Sequence, residues 1–209
     1  MSAVAAPVAM RRPLPPEEAA RANFYALLGR LLRAPPDAAL IAALATSEPL
    51  PADGDVAIAA AWRNLIDASS AMDAEAAATE YEALFDGVGK AEVSIYAGFY
   101  SGAPSIDHPR VRLQADLAAL GLARRERLSE PEDHFAGLFE TMRVLVGGGA
   151  GREPAPIAEQ KRFFDAYLVP SAPKFMKALG ASPKANYYRT VAALGAAFIS
   201  LESDSFQLA

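Results

Sequence analysis

The sequence predicts an all-α chain, a single-domain bundle of about eight to nine helices. Apolar residues recur at i, i+3, i+4 and i+7 along most of its 209 residues, no convincing strand-type alternation appears, and the 52% hydrophobic, 22% charged composition is rich in helix-favouring alanine and leucine. A chain of this size buries roughly 70% of the surface its unfolded form exposes, so one core suffices without staples.

The start, MSAVAAPVAMRRPLPPEEAARANF, contains Arg11-Arg12 and invites a reading as a twin-arginine export signal. Pro13, Pro15, Pro16, Glu17 and Glu18 stand where an uncharged apolar stretch would have to begin, so residues 1–16 read as a disordered lead-in to a domain over 17–209. Phe24, Leu27, Leu28 and Leu31 then form a stripe that predicts a first helix over 17–33. A short second helix follows over 37–45. After the loop SEPLPADGD, Asp55 opens a third that carries Trp62, Leu65 and Ile66. Asp73 is a good N-cap for a fourth, whose face holds Ala74, Ala77, Ala78, Tyr81, Leu84 and Phe85 before DGVGK breaks it.

The next stretch, AEVSIYAGFYSGAPSIDHPR, is aromatic, glycine-containing and without helical period. It reads as an ordered surface loop or a single helical turn, and long irregular segments inside compact domains tend to be functional. Pro109 suits the first turn of a fifth helix with Val111, Leu117 and Leu120, stopped by Gly121. Ser129 and Glu132 have the spacing of a capping box, which predicts a sixth helix carrying Phe135, Leu138, Phe139, Met142 and Leu145. GGGAGREPAP, 147–156, reads as a flexible linker and a candidate hinge. A helix over 157–168 with Phe163, Phe164 and Tyr167 follows, then a short one in PKFMKALG. Ser182-Pro183 is expected to cap the last helix, with Tyr187, Val191, Leu194, Phe198 and Leu201 on one face.

Composition excludes several function classes. A net charge of −5 argues against nucleic acid as a partner. The absence of cysteine removes disulfides, thiolate metal sites and cysteine nucleophiles. No apolar run reaches the ~18 residues that a bilayer span requires; the longest, TVAALGAAFISL, ends at Glu202. Stable membrane insertion is not expected, and the cytoplasm is the expected compartment.

The densest chemistry lies in SEPEDHFAGLFE, 129–140, where Glu130, Glu132, Asp133 and His134 fall together. In the first turn of a helix each carboxylate gains about 0.3–1 kcal/mol from the helix dipole, so a purely structural reading is available. The sequence also repeats Asp-His, at Asp107-His108 and Asp133-His134. A metal-dependent hydrolase built on those two pairs is the alternative reading, although no HExxH or other spaced ligand motif supports it. A phosphate loop at DGVGK fails at Leu84 and Ala91, and no GxSxG elbow is present. Leu84 and Phe85 suit ordinary core. Tyr96 and Tyr100, in a glycine-flanked loop, instead suit a groove for a peptide that is part basic and part apolar.

Four blocks in order carry a family resemblance. YEALF at 81–85, VSIYAGFY at 93–100, EPEDH at 130–134 and YLVPSAPKFMKAL at 167–179 resemble the TorD/DmsD/NarJ group of chaperones, which mature molybdenum-containing redox enzymes before twin-arginine export or membrane assembly. Ile95, Ala97 and Gly98 depart from that group's common Pro, Glu and Ser, and Tyr167 and Ser171 from its His and Trp. The pattern is most similar to members associated with formate dehydrogenases. The resemblance implies a cytoplasmic, non-enzymatic, all-helical chaperone without a cofactor of its own. Its partner would be the apo form of a molybdenum-containing oxidoreductase catalytic subunit, of formate dehydrogenase or DMSO-reductase type, bound through its twin-arginine signal peptide, its body or both during cofactor insertion. The peptide-binding surface it implies comprises Tyr81, Leu84, Phe85, Ser94, Tyr96, Tyr100, Glu130, Pro131, Glu132, Asp133 and His134, with no catalytic and no metal residues. A monomer and a domain-swapped dimer both stay open.

Overall fold

Residues 13–51, 54–86, 91–102, 109–122, 131–149 and 151–208 are described by the computed structural model of the chain. They form α1 (Pro16–Arg33), α2 (Ala38–Ala45), α3 (Val56–Ala71), α4 (Ala74–Phe85), α5 (Gly98–Ser101), α6 (Pro109–Ala119), α7 (Phe135–Gly147), α8 (Ile157–Phe163), α9 (Ala172–Ala181) and α10 (Tyr187–Leu208). Among these residues there is no strand beyond two isolated bridges, and no helix is long and apolar enough to cross a membrane. The all-α expectation holds, with the aromatic loop contributing one helical turn as α5. Residues 1–12 of the expected lead-in lie outside the described residues, and so does most of DGVGK.

The local signals behave as their chemistry requires. Asp37, Asp55 and Asp73 each turn a carboxylate onto a backbone N–H three residues on, at 2.7, 2.9 and 2.7 Å, and start α2, α3 and α4. The packing follows the apolar stripes: α1 lies along α7, and α10 lies along α3 and α9 while also touching α1 and α4. Tyr25, Phe139 and Phe198 meet in this shared core, with ring centroids 6.2 and 4.7 Å from Tyr25. At the α9–α10 contact a Cβ on Gly195 would come 2.6 Å from Met176 Sδ, so glycine there is a notch for the methionine.

Two predicted helix starts are corrected. The capping box is not used: α7 begins at Phe135 with His134 as its N-cap, and Glu132 and Asp133 lie in a turn before the helix rather than in its first turn. The reason is tertiary, because the backbone on both sides of His134 is bonded to the aromatic loop. Ser129 and Glu130 lie outside the described residues. Ser182 does not cap α10 either; its hydroxyl accepts from Lys184 N in a local turn. The cap comes from Glu80 of α4, whose carboxylate accepts the N–H groups of Asn186, Tyr187 and Tyr188 at 2.8, 3.0 and 2.8 Å. A carboxylate at a helix N-terminus satisfies orphan donors and opposes the dipole at once. Glu80→Ala is therefore expected to lower unfolding free energy by about 2 kcal/mol, above the ~1 kcal/mol of an ordinary cap. Urea denaturation monitored by circular dichroism would read this, and a loss below that of an ordinary cap would count against it.

Residues 157–168 do not run as one α-helix: the last turn, Phe164–Leu168, widens to π geometry. On this turn the Tyr167 hydroxyl donates to Asp116 of α6 at 2.5 Å. In the glycine-rich segment after α7, Gly149 and Arg152 exchange reciprocal backbone bonds, and Ala155 N donates to Leu145 O at 2.7 Å.

Candidate functional site

The aromatic loop is hung between α4 and α7. Val93 N donates to Leu84 O at 3.0 Å, Ala97 N to Asp133 O at 2.8 Å, and Phe135 N to Ile95 O at 3.1 Å. Tyr96 and His134 thereby form an isolated antiparallel bridge. Extended backbone alternates its side chains, so Val93, Ile95 and Ala97 are buried while Ser94 and Tyr96 are half-buried on the other side. The five-residue alternation in VSIYA was the signal in the sequence for this geometry. The chain then closes into α5, ended by Gly102 at φ 66°.

Each ring is anchored. The Tyr96 and His134 rings meet edge to face with centroids 5.5 Å apart. His134 Nδ1 accepts Ala136 N–H at 3.1 Å, which puts the proton of the neutral ring on Nε2. Tyr100 lies against Phe135 and Phe175 and donates its hydroxyl to Ser94 O at 2.8 Å. Burial pushes its phenol up to about 12, so it remains a donor across the ordinary pH range. Lys174 Nζ holds the Tyr100 carbonyl at 2.9 Å. At the end of α4, Tyr81, Phe85 and Tyr188 form a ring cluster with centroids 4.9 to 5.8 Å apart.

Between the ends of α1, α4 and α9 and this loop lies a cleft of about 770 Å³. Tyr81, Phe85, Ser94, Tyr96, Tyr100 and His134, all selected from the sequence, line it together. Phe99, 71% exposed, adds an unburied ring. Three charged lining residues were missed: Arg33, Asp86 and Glu92. Nothing periodic marks them in the sequence, since Arg33 and Asp86 join the cleft at helix ends and Glu92 from the loop after α4. Glu92 also faces Lys184 Nζ at 3.3 Å.

The expected acidic mouth is arranged differently. Asp133 is buried, and its Oδ2 accepts Gly98 N–H at 3.1 Å; Arg110 Nε stands 3.8 Å from Oδ1. Glu132 is half-buried, with Arg110 Nη2 3.9 Å from its carboxylate, and Pro131 is half-buried beside it. Neither these two residues nor Asp133 lines the cleft. Leu84 is fully buried in the core behind the lining, and Glu130 lies outside the described residues. Among the described residues no group of three His, Asp or Glu side chains converges as a metal site. Asp107 and His108, needed for the hydrolase alternative, also lie outside them.

The chain is thus an all-helical bundle that presents an aromatic-lined cleft carrying both signs of charge. A family model described as nitrate reductase delta subunit matches residues 52–177, and this chain belongs to that family, a family of chaperones for the maturation of molybdenum enzymes. The match covers YEALF, VSIYAGFY, EPEDH and all but the last two residues of YLVPSAPKFMKAL. No curated protein matches the chain significantly.

Proposed function

We propose that this chain is a cytoplasmic, non-enzymatic chaperone that holds the twin-arginine leader of a molybdenum-containing catalytic subunit, of formate dehydrogenase or DMSO-reductase type, while the cofactor is inserted. The observation that carries this reading is the cleft itself. Its volume falls in the range of ~300–1,000 Å³ typical of ligand pockets, enough for a few side chains of an extended or helical segment. Exposed Phe99 and half-buried Tyr96 offer apolar faces with little to lose on folding and much to bury on binding. Asp86 and Glu92 offer carboxylates that suit the guanidinium fork of an arginine. A leader supplies both halves, an arginine pair and an apolar stretch after it.

Calorimetric titration with a synthetic leader carrying its arginine pair is the direct test. Binding is expected, and it weakens as salt rises past ~0.1 M, where charges more than about 10 Å apart are screened. If leaders of the molybdenum enzymes encoded beside this gene give no heat and no stabilisation, the reading fails. If they bind without any salt dependence, the ionic half of it fails.

A further inference from the structure

We propose that Asp133 is a positioning residue that sets the aromatic loop against the cleft without touching the bound polypeptide. The proposal rests on the reading of the cleft as a peptide site. Asp133 catches two successive backbone amides of the loop, Ala97 N–H on its carbonyl at 2.8 Å and Gly98 N–H on Oδ2 at 3.1 Å. The residues on either side of that pair, Tyr96 before and Phe99 and Tyr100 after, are cleft-lining rings. Asp133 itself is 7% exposed and absent from the lining, so a guanidinium entering the cleft meets Asp86 and Glu92 instead.

Two further features fit a latch. A Cβ at position 98 would lie 2.8 Å from Asp133 Oδ2, closer than such atoms come, so a side chain there would force the carboxylate to shift. On the other side Arg110 Nε stands 3.8 Å from Oδ1, beyond hydrogen-bond length, and its side chain is 54% exposed. Asp133 Oδ1 is buried without a hydrogen-bond partner, so Arg110 gives it attraction but no bond. What the Asp133 side chain itself gives the loop is then the acceptor on Gly98 N–H, which an asparagine also supplies and an alanine does not.

The experiment compares full-length wild type, Asp133→Asn, Asp133→Ala, Gly98→Ala and the pair Asp86→Asn with Glu92→Gln. Each is titrated with a leader peptide and with the same peptide carrying glutamine for both arginines. Asp133→Asn is expected to bind within about threefold of wild type, and Asp133→Ala and Gly98→Ala to lose about tenfold or more, by the same factor for both peptides. The Asp86/Glu92 variant loses affinity for the arginine peptide only. If Asp133→Asn weakens the arginine peptide about tenfold and spares the glutamine one, Asp133 touches the peptide and the proposal is overturned.

A second readout needs no peptide. Amide exchange at Ala97 and Gly98 is expected to speed up in Asp133→Ala and Gly98→Ala and to stay slow in Asp133→Asn, while the core helices keep their protection. Unchanged exchange in the two alanine variants overturns the latch even if leaders bind. Fast exchange there together with no binding by any protein strikes the chaperone reading and leaves the latch standing. If Asp133→Ala does not fold, Asp133→Asn and Gly98→Ala decide the outcome alone.

Discussion

Glu202→Ala is expected to destabilise this protein by about 3–5 kcal/mol, the usual cost of removing one partner from a buried ion pair. Glu202 is 2% exposed on α10 and accepts three hydrogen bonds from α1: Arg21 Nε at 2.7 Å, Arg21 Nη2 at 2.8 Å and the Tyr25 hydroxyl at 2.7 Å. Burial works against the Arg21 charge, but the bond to Glu202 and the attraction of its carboxylate outweigh that and hold the guanidinium protonated. Burial and the same carboxylate also push the Tyr25 phenol well above its ordinary value. Alanine at 202 would leave the part-buried Arg21 cation only the half-buried Glu18 carboxylate, 3.0 Å from its Nη1, and would strand the buried Tyr25 hydroxyl. For a chain of this size ~1 kcal/mol moves the thermal midpoint by about 2–4 °C, so a fall of roughly 6–20 °C is expected. The double replacement Arg21→Met with Glu202→Leu is expected to recover most of it, because a packed apolar pair takes the under-compensated cation out of the α1–α10 contact. A melt of Glu202→Ala superimposable on wild type would refute the account. Arg21 lies roughly 18 Å along α1 from the cleft residue Arg33, so leader affinity below the melt is expected to be unchanged.

Phe99→Ala carries the second large effect, on binding rather than folding. The ring is mostly in water and touches Tyr100 edge to face at 5.0 Å, so its removal is expected to change stability by less than about 0.5 kcal/mol. An exposed aromatic that becomes covered by a partner is a typical hot spot, and losing it is expected to cost about 2 kcal/mol, or roughly 30-fold in affinity. Tyr100→Ala behaves differently: its ring packs on Phe135 and Phe175, so both stability and affinity fall. Calorimetry beside thermal melts separates the two patterns. An unaltered leader affinity for Phe99→Ala would take that ring out of the site.

The helices were largely legible because their signals are local. The Leu27-Leu28-Leu31 stripe, the aspartate caps of α2, α3 and α4, and Pro109 at the start of α6 each act within a few residues, and the structure uses all of them. The family was legible for a related reason, since four short blocks in fixed order survive as strings of letters. Ser129 and Glu132 show where this logic stops. Their spacing is that of a capping box, yet α7 starts later, because the backbone around His134 is committed to the loop 95–97.

By itself the sequence determined the all-α class, the order of the helices, the family and most of the rings that line the cleft. Only the tertiary structure decided that Asp133 turns inward to Gly98, 35 positions away, that Glu80 rather than Ser182 starts α10, and that Arg33, Asp86 and Glu92 share one cleft. The physical reason is range. Periodicity and capping are written into neighbouring residues, whereas the partner of a buried carboxylate is whichever backbone donor the packed helices bring to it, and no local pattern specifies that donor.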